Sequence, residues 1–141
     1  MMIATMWLVS GLVLGANAEG TLRFEIHSIA PKGGQVGCAL FDGEDGYPMS
    51  VDKAIERVYA KIEDGQAGCV FEGIEPGEYA VSVMHDEDGD GELDKNMFGV
   101  PSEGWGTSND APARAFGPPK WDDAKIAFDG TTFVQSVKMR Y

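Results

Sequence analysis

The sequence predicts an all-β fold, an immunoglobulin-like or transthyretin-like β-sandwich of about seven short strands, on three observations. Apolar and polar residues alternate with period two through several short stretches, the pattern of strands that bury one face. Turn signals drawn from 19 glycines and 7 prolines separate those stretches. Hydrophobic residues make up 43% of the 141 positions, enough for a core and too many for a disordered chain, and a single domain is expected at this length.

Residues 1–18 contain no Asp, Glu, Lys or Arg, and Met6 to Gly15 is apolar apart from Ser10 and Gly11. Ala16-Asn17-Ala18 then offers small residues at both positions a signal peptidase reads. The stretch is expected to be a signal peptide cleaved after Ala18, leaving residues 19–141 as a single β-sandwich domain in the periplasm or outside the cell. Its apolar run is shorter than the roughly 20 residues a membrane span needs, so the processed chain is not expected to span a membrane. A retained N-terminal anchor is the alternative.

From Thr21 to Ser28, Leu22, Phe24 and Ile26 alternate with Arg23, Glu25 and His27, which makes the first strand. Pro31-Lys32-Gly33-Gly34 turns the chain into a second strand, Gln35 to Phe41, which breaks at Asp42-Gly43-Glu44-Asp45-Gly46. Pro48 to Ile55 reads as a short helix or irregular loop that Ser50 could cap. Arg57 to Glu63, a turn at Asp64-Gly65, and Ala67 to Glu72 read as a hairpin. After Pro76-Gly77, the residues Tyr79, Val81 and Val83 form the inward face of a strand ending at His85. Asp86 to Asp123 is turn-rich and without periodicity, and a connection of that length usually carries function. Ala124 to Phe128 and Thr132 to Met139 bracket Asp129-Gly130, a second hairpin signal.

Export would place Cys38 and Cys69 in an oxidising compartment, where two thiols in a small domain are expected to form a disulfide between strands. Two buried free thiols are the alternative, and no C-x-x-C spacing suggests zinc. The net charge of −12 and pI near 4.4 repel phosphate backbones and anionic membranes, which sets nucleic acid aside as a partner. Divalent cations and basic partners remain, as does the reading that acidity only confers solubility.

That charge is densest in His85-Asp86-Glu87-Asp88-Gly89-Asp90-Gly91-Glu92-Leu93-Asp94. Asp86, Asp88, Asp90 and Asp94 occupy positions 1, 3, 5 and 9 of a calcium loop of EF-hand spacing, with Gly91 at the bend and the Glu92 carbonyl at position 7. Oxygens two residues apart can converge on one hard cation, and crowded carboxylates repel one another without one. Position 12 is Met97, so an ordinary EF-hand is excluded, and Glu103 or Asn96 would have to complete the shell. The expected ligand set for Ca²⁺ is therefore Asp86, Asp88, Asp90, Glu92, Asp94 and Glu103; the alternative is a solvated acidic turn.

No G-x-S-x-G occurs, and no nucleophile stands beside a base, so no catalytic residue is assigned. His85 is expected at a strand end, bonded to a loop carboxylate. A metal pair of His27 and His85 would require the first and fifth strands to be neighbours. Trp105 and Trp121, with His85, are candidate ligand contacts, since aromatics beside acids form sugar platforms; the alternative is that the tryptophans cap the sandwich, held against the sheet by Pro112, Pro118 and Pro119. Three functions are thus open: a non-enzymatic binding or structural module holding calcium, a carbohydrate- or peptide-binding domain facing cell-envelope glycan or protein, and a metal- or His-dependent enzyme.

Pro76-Gly77-Glu78-Tyr79-Ala80, His85-Asp86 with Gly91 and Asp94, then Asn96, Gly99, Pro101, Glu103-Gly104, Gly106 and Ser108-Asn109 form a long pattern. With Leu40-Phe41-Asp42 and Gly117-Pro118-Pro119, it resembles the bacterial exported domain of unknown function family 2141. The resemblance implies an exported β-sandwich of unassigned activity and carries over no catalytic residue. Where that family reads His-Asp-Glu-Asn, this chain has Asp88, which adds charge and keeps an oxygen.

Overall fold

The computed structural model describes residues 20–87, 89 and 103–141. The expected signal peptide lies outside these residues. Eight strands run in the order β1 (Gly20–His27), β2 (Gln35–Phe41), β3 (Glu56–Ala60), β4 (Ala67–Ile74), β5 (Gly77–Asp86), β6 (Trp105–Thr107), β7 (Ile126–Phe128) and β8 (Thr132–Lys138). One short helix, α1 (Trp121–Ala124), and 3-10 turns at Val51–Lys53 and Ser108–Asp110 complete the described elements. No helix among the described residues is long and apolar enough to cross a membrane.

The protein is all-β, in two sheets. One sheet has the order β4-β1-β8, with β4 antiparallel and β8 parallel to β1. The other has the order β3-β2-β5-β6, antiparallel throughout, with β7 also pairing β5. Each sheet buries one face in a shared core: Leu22, Phe24, Ile26, Phe71 and Val137 from the first meet Val36, Leu40, Val81 and Val83 from the second. Alternation on β1 produces this directly, since Arg23 and Glu25 stay exposed while their neighbours vanish from solvent. The sulfurs of Cys38 in β2 and Cys69 in β4 lie at bonding distance, so a disulfide joins the sheets, with Cα atoms 6.4 Å apart.

β2 and β5 are buried on both faces because the five-stranded sheet carries a second layer. Ala80 of β5 packs with Ala111 and Ala124, and Tyr47 and Trp121 close over them. Ser108 pins this cover: its hydroxyl accepts from the Val81 N–H at 3.0 Å and donates to the Ala124 carbonyl at 2.7 Å. Asn109 extends the clamp, its side-chain amide donating to the carbonyls of Asp123 and Lys125.

Both expected hairpins are corrected. Asp64-Gly65 does reverse the chain, at φ of 53° and 73°, and Glu63 and Gln66 exchange two backbone hydrogen bonds across it. The flanking strands then part, β3 pairing with β2 and β4 with β1. At Asp129-Gly130 the Asp129 carboxylate accepts from both the N–H and hydroxyl of Thr131, bonds that hold it below the usual carboxylate range. This local turn sends β8 away from β7 into the other sheet, beside β1. The aperiodic stretch from Asp86 to Asp123 also contains β6, paired with β5, and all but the last residue of α1.

Candidate functional site

Asp88, Asp90, Glu92 and Asp94, with Asn96 and Met97, lie outside the described residues; the neck from which they depart does not. β5 ends and β6 begins side by side, the His85 N–H donating to the Gly104 carbonyl at 2.8 Å. Asp86 is fully buried and its Oδ2 accepts from the Gln35 side-chain amide at 3.0 Å. Glu103 is 5% exposed, and its Oε2 accepts the Glu87 N–H at 2.8 Å. The first and last of the expected calcium ligands therefore lie on adjoining segments, Asp86 at the end of β5 and Glu103 two residues before β6.

Glu87 is a third carboxylate at this neck, passed over in the sequence because position 2 of a calcium loop carries no ligand. Its Oε2 is buried and has no hydrogen-bond partner. The Lys32 ammonium stands 3.9 Å from it, too far for a hydrogen bond and half exposed to water.

His85 is buried between two partners, neither of them the expected loop carboxylate. The Gly33 carbonyl, 2.7 Å from Nε2, can only accept, so Nε2 donates. The Tyr141 hydroxyl accepts from the Ala30 N–H at 2.9 Å and donates its own hydrogen to Nδ1 at 2.7 Å. Both ring nitrogens thus fasten the β1–β2 connection and the C-terminal residue to β5. Gly34 completes the grip at φ +78°; a Cβ there would fall 2.2 Å from the Asp86 carbonyl oxygen and 2.7 Å from the Glu87 Cα, so only glycine fits. His27, bonded through Nδ1 to the Ser28 hydroxyl, belongs to the other sheet, and the strands of the two histidines are not neighbours. Among the described residues no three His, Cys, Asp or Glu side chains are grouped to hold a metal.

The two candidate tryptophans separate. Trp105 sits in β6, paired by two backbone bonds with Arg140, whose guanidinium covers its ring at 5.5 Å. Trp121 instead lines a cavity of about 320 Å³ on the cover of the five-stranded sheet. Its ring meets Tyr47 edge-on at 5.6 Å, and Tyr47 meets Phe41 of β2 in the same way, also at 5.6 Å. Burial pushes the Tyr47 phenol up to about 12, against a weaker opposing contact with Thr107. Arg114, Lys120, Glu44 and Asp122 supply the charged part of the lining.

A family model described as an uncharacterized protein conserved in bacteria, DUF2141, matches residues 24–135. The chain belongs to the DUF2141 family. No curated protein and no solved structure matches it. The DUF2141 match takes in the acidic stretch, its neck and the Trp121 cavity, and stops before Tyr141. In this DUF2141 chain several residues of the long sequence pattern have structural tasks: His85, Ser108 and Asn109 anchor connections, and a Cβ on Gly104 would meet the Tyr141 ring at 2.5 Å.

Proposed function

We propose that the protein is an exported, non-enzymatic binding or structural module of immunoglobulin-like or transthyretin-like sandwich type, whose acidic stretch holds calcium. The observation that carries the metal reading is the neck. Asp86 and Glu103 are buried at the end of β5 and just before β6, the residues from which the acidic stretch runs, and Glu87 Oε2 is buried without a hydrogen bond. An oxygen in that state is costly unless a charge compensates it, and the half-exposed Lys32 ammonium at 3.9 Å does so only in part. A hard cation accepting six to eight oxygens would fit there, with Asp88, Asp90, Glu92 and Asp94 supplying the remainder of the shell. Both nitrogens of His85 are engaged in structural bonds, which argues against the His-dependent enzyme.

Titration calorimetry and thermal melts with calcium and with chelator test this. Calcium at a hundredfold excess over its dissociation constant is expected to add about 2.7 kcal/mol. That amounts to roughly 10 °C in Tm for a domain of this size. Glu103→Gln is expected to reduce the gain. No binding heat and unchanged melting at millimolar calcium would reject the metal reading.

Export is supported by the apolar run before Ala18 and by the disulfide, a bond that persists in oxidising compartments. Protein expressed in a bacterial host with its own N-terminal segment is expected in the periplasmic or external fraction, starting at Glu19. Intact-mass measurement checks this; a cytoplasmic product retaining Met1 contradicts it.

A further inference from the structure

The charge of the protein is −12, yet the lining of the Trp121 cavity is balanced, Arg114 and Lys120 matching Glu44 and Asp122 in number. A cation or an anion entering it would meet a like-charged pair as well as an opposite one. A neutral ligand rich in hydroxyls meets no such conflict, because each hydroxyl both donates and accepts and so suits guanidinium, ammonium and carboxylate alike. The aromatic part of the lining fits the same chemistry, since the C–H faces of a sugar pack on ring faces such as that of Trp121. At about 320 Å³ the cavity stands at the small end of ligand pockets, which run from about 300 to 1,000 Å³. It can take a single sugar residue with the rest of a chain left outside.

Phe116 supplies the outside. It is fully exposed, two residues from Pro118 of the lining, at the tip of a turn that is held rather than loose. The Arg114 N–H donates to the Gly117 carbonyl at 3.0 Å, and Arg114 Nε donates to the Pro118 carbonyl at 2.9 Å. An aromatic side chain that buries nothing contributes nothing to the core, and a turn fixed in advance lowers the ordering cost of binding. We infer that the Trp121 cavity is a subsite for one residue of a neutral glycan, with Phe116 as the platform on which the next residue stacks.

This inference is independent of the calcium reading. The cavity adjoins Ala80 on β5 and the acidic neck begins at Asp86, about 20 Å further along the strand.

The test is an array of neutral and acidic oligosaccharides, peptidoglycan fragments and peptides, probed with the full chain once in calcium and once in EDTA. Binding to neutral glycans is expected in both solutions, so that a failed calcium site leaves this result intact. The strongest neutral oligosaccharide is then titrated by tryptophan fluorescence. Phe116→Ala is expected to raise its Kd about tenfold without changing the melting temperature, as for an aromatic anchor of a binding surface. Trp121→Phe is expected to weaken binding and abolish most of the fluorescence change. An array without a neutral hit, binding confined to acidic glycans or peptides, binding that EDTA removes, or a Kd that Phe116→Ala leaves unaltered overturns the inference.

Discussion

Phe24→Ala is expected to lower the stability of the protein by about 3–5 kcal/mol, the cost of emptying a buried aromatic site. Phe24 has no solvent exposure and lies on β1, the central strand of its sheet, with paired strands on both sides. Its ring meets Phe71 edge-on at 6.2 Å and Phe133 at a tilt at 6.3 Å, contacts worth more than the buried area alone. A strand held from both sides cannot move inward to close the void, which puts the cost toward the upper part of the range. Denaturant unfolding reads it as a lower midpoint at unchanged slope. Val134→Ala on the neighbouring strand, at 53% exposure, is expected to stay within about 0.5 kcal/mol. Equal losses in the two variants would mean that the core is not where β1 places it.

Removing the Cys38–Cys69 bond is expected to cost nearly as much. The cysteines are 31 residues apart, and closing a loop of that length restricts the unfolded chain by about 3.5 kcal/mol. The bond joins β2 of one sheet to β4 of the other, segments that no ladder of backbone hydrogen bonds connects. Both cysteines are almost fully buried, so reductant reaches them only when the structure opens. Unfolding curves of the oxidised protein, the reduced protein and a Cys38→Ala, Cys69→Ala double variant separate the contributions. The double variant is expected to match the reduced protein within about 1 kcal/mol and to ignore reductant. A double variant as stable as the oxidised form would overturn the entropic account. Cys69 is the cross-strand partner of Phe24, so losses at the two sites are not expected to add.

Strand positions were legible where alternation was long. β2 matches the expected stretch Gln35–Phe41, and β1 begins and ends one residue before the expected bounds. Pairing was not legible. Asp64-Gly65 and Asp129-Gly130 encode reversals through left-handed φ and side-chain bonds to the local backbone, but such chemistry specifies only the turn. Which sheet receives the next strand depends on apolar faces contributed by distant segments. β6 escaped because three residues with glycine in the middle show no alternation; a Cβ on Gly106 would fall 2.8 Å from the Lys138 carbonyl oxygen, so the strand needs the absence of a side chain there. The partners of His85 are 52 and 56 residues away, beyond any local pattern. Of the candidate site, the acidic spacing and Trp121 could be read directly, while the neck at Glu87 and the exposed ring of Phe116 emerge only when separate segments meet.

The parallel pairing of β8 with β1 has a consequence for how the molecule comes into being. The three-stranded sheet draws on Gly20–His27, Ala67–Ile74 and Thr132–Lys138, so its middle member has no lasting partner on one flank until nearly all of the polypeptide has been delivered. Contacts of such long sequence separation form slowly, on the millisecond-to-second scale typical of non-local β topologies. A chain emerging from a ribosome or threading through a narrow channel therefore keeps that flank of β1 open until its final segment arrives, although the β3-β2-β5-β6 ladder needs nothing beyond Thr107.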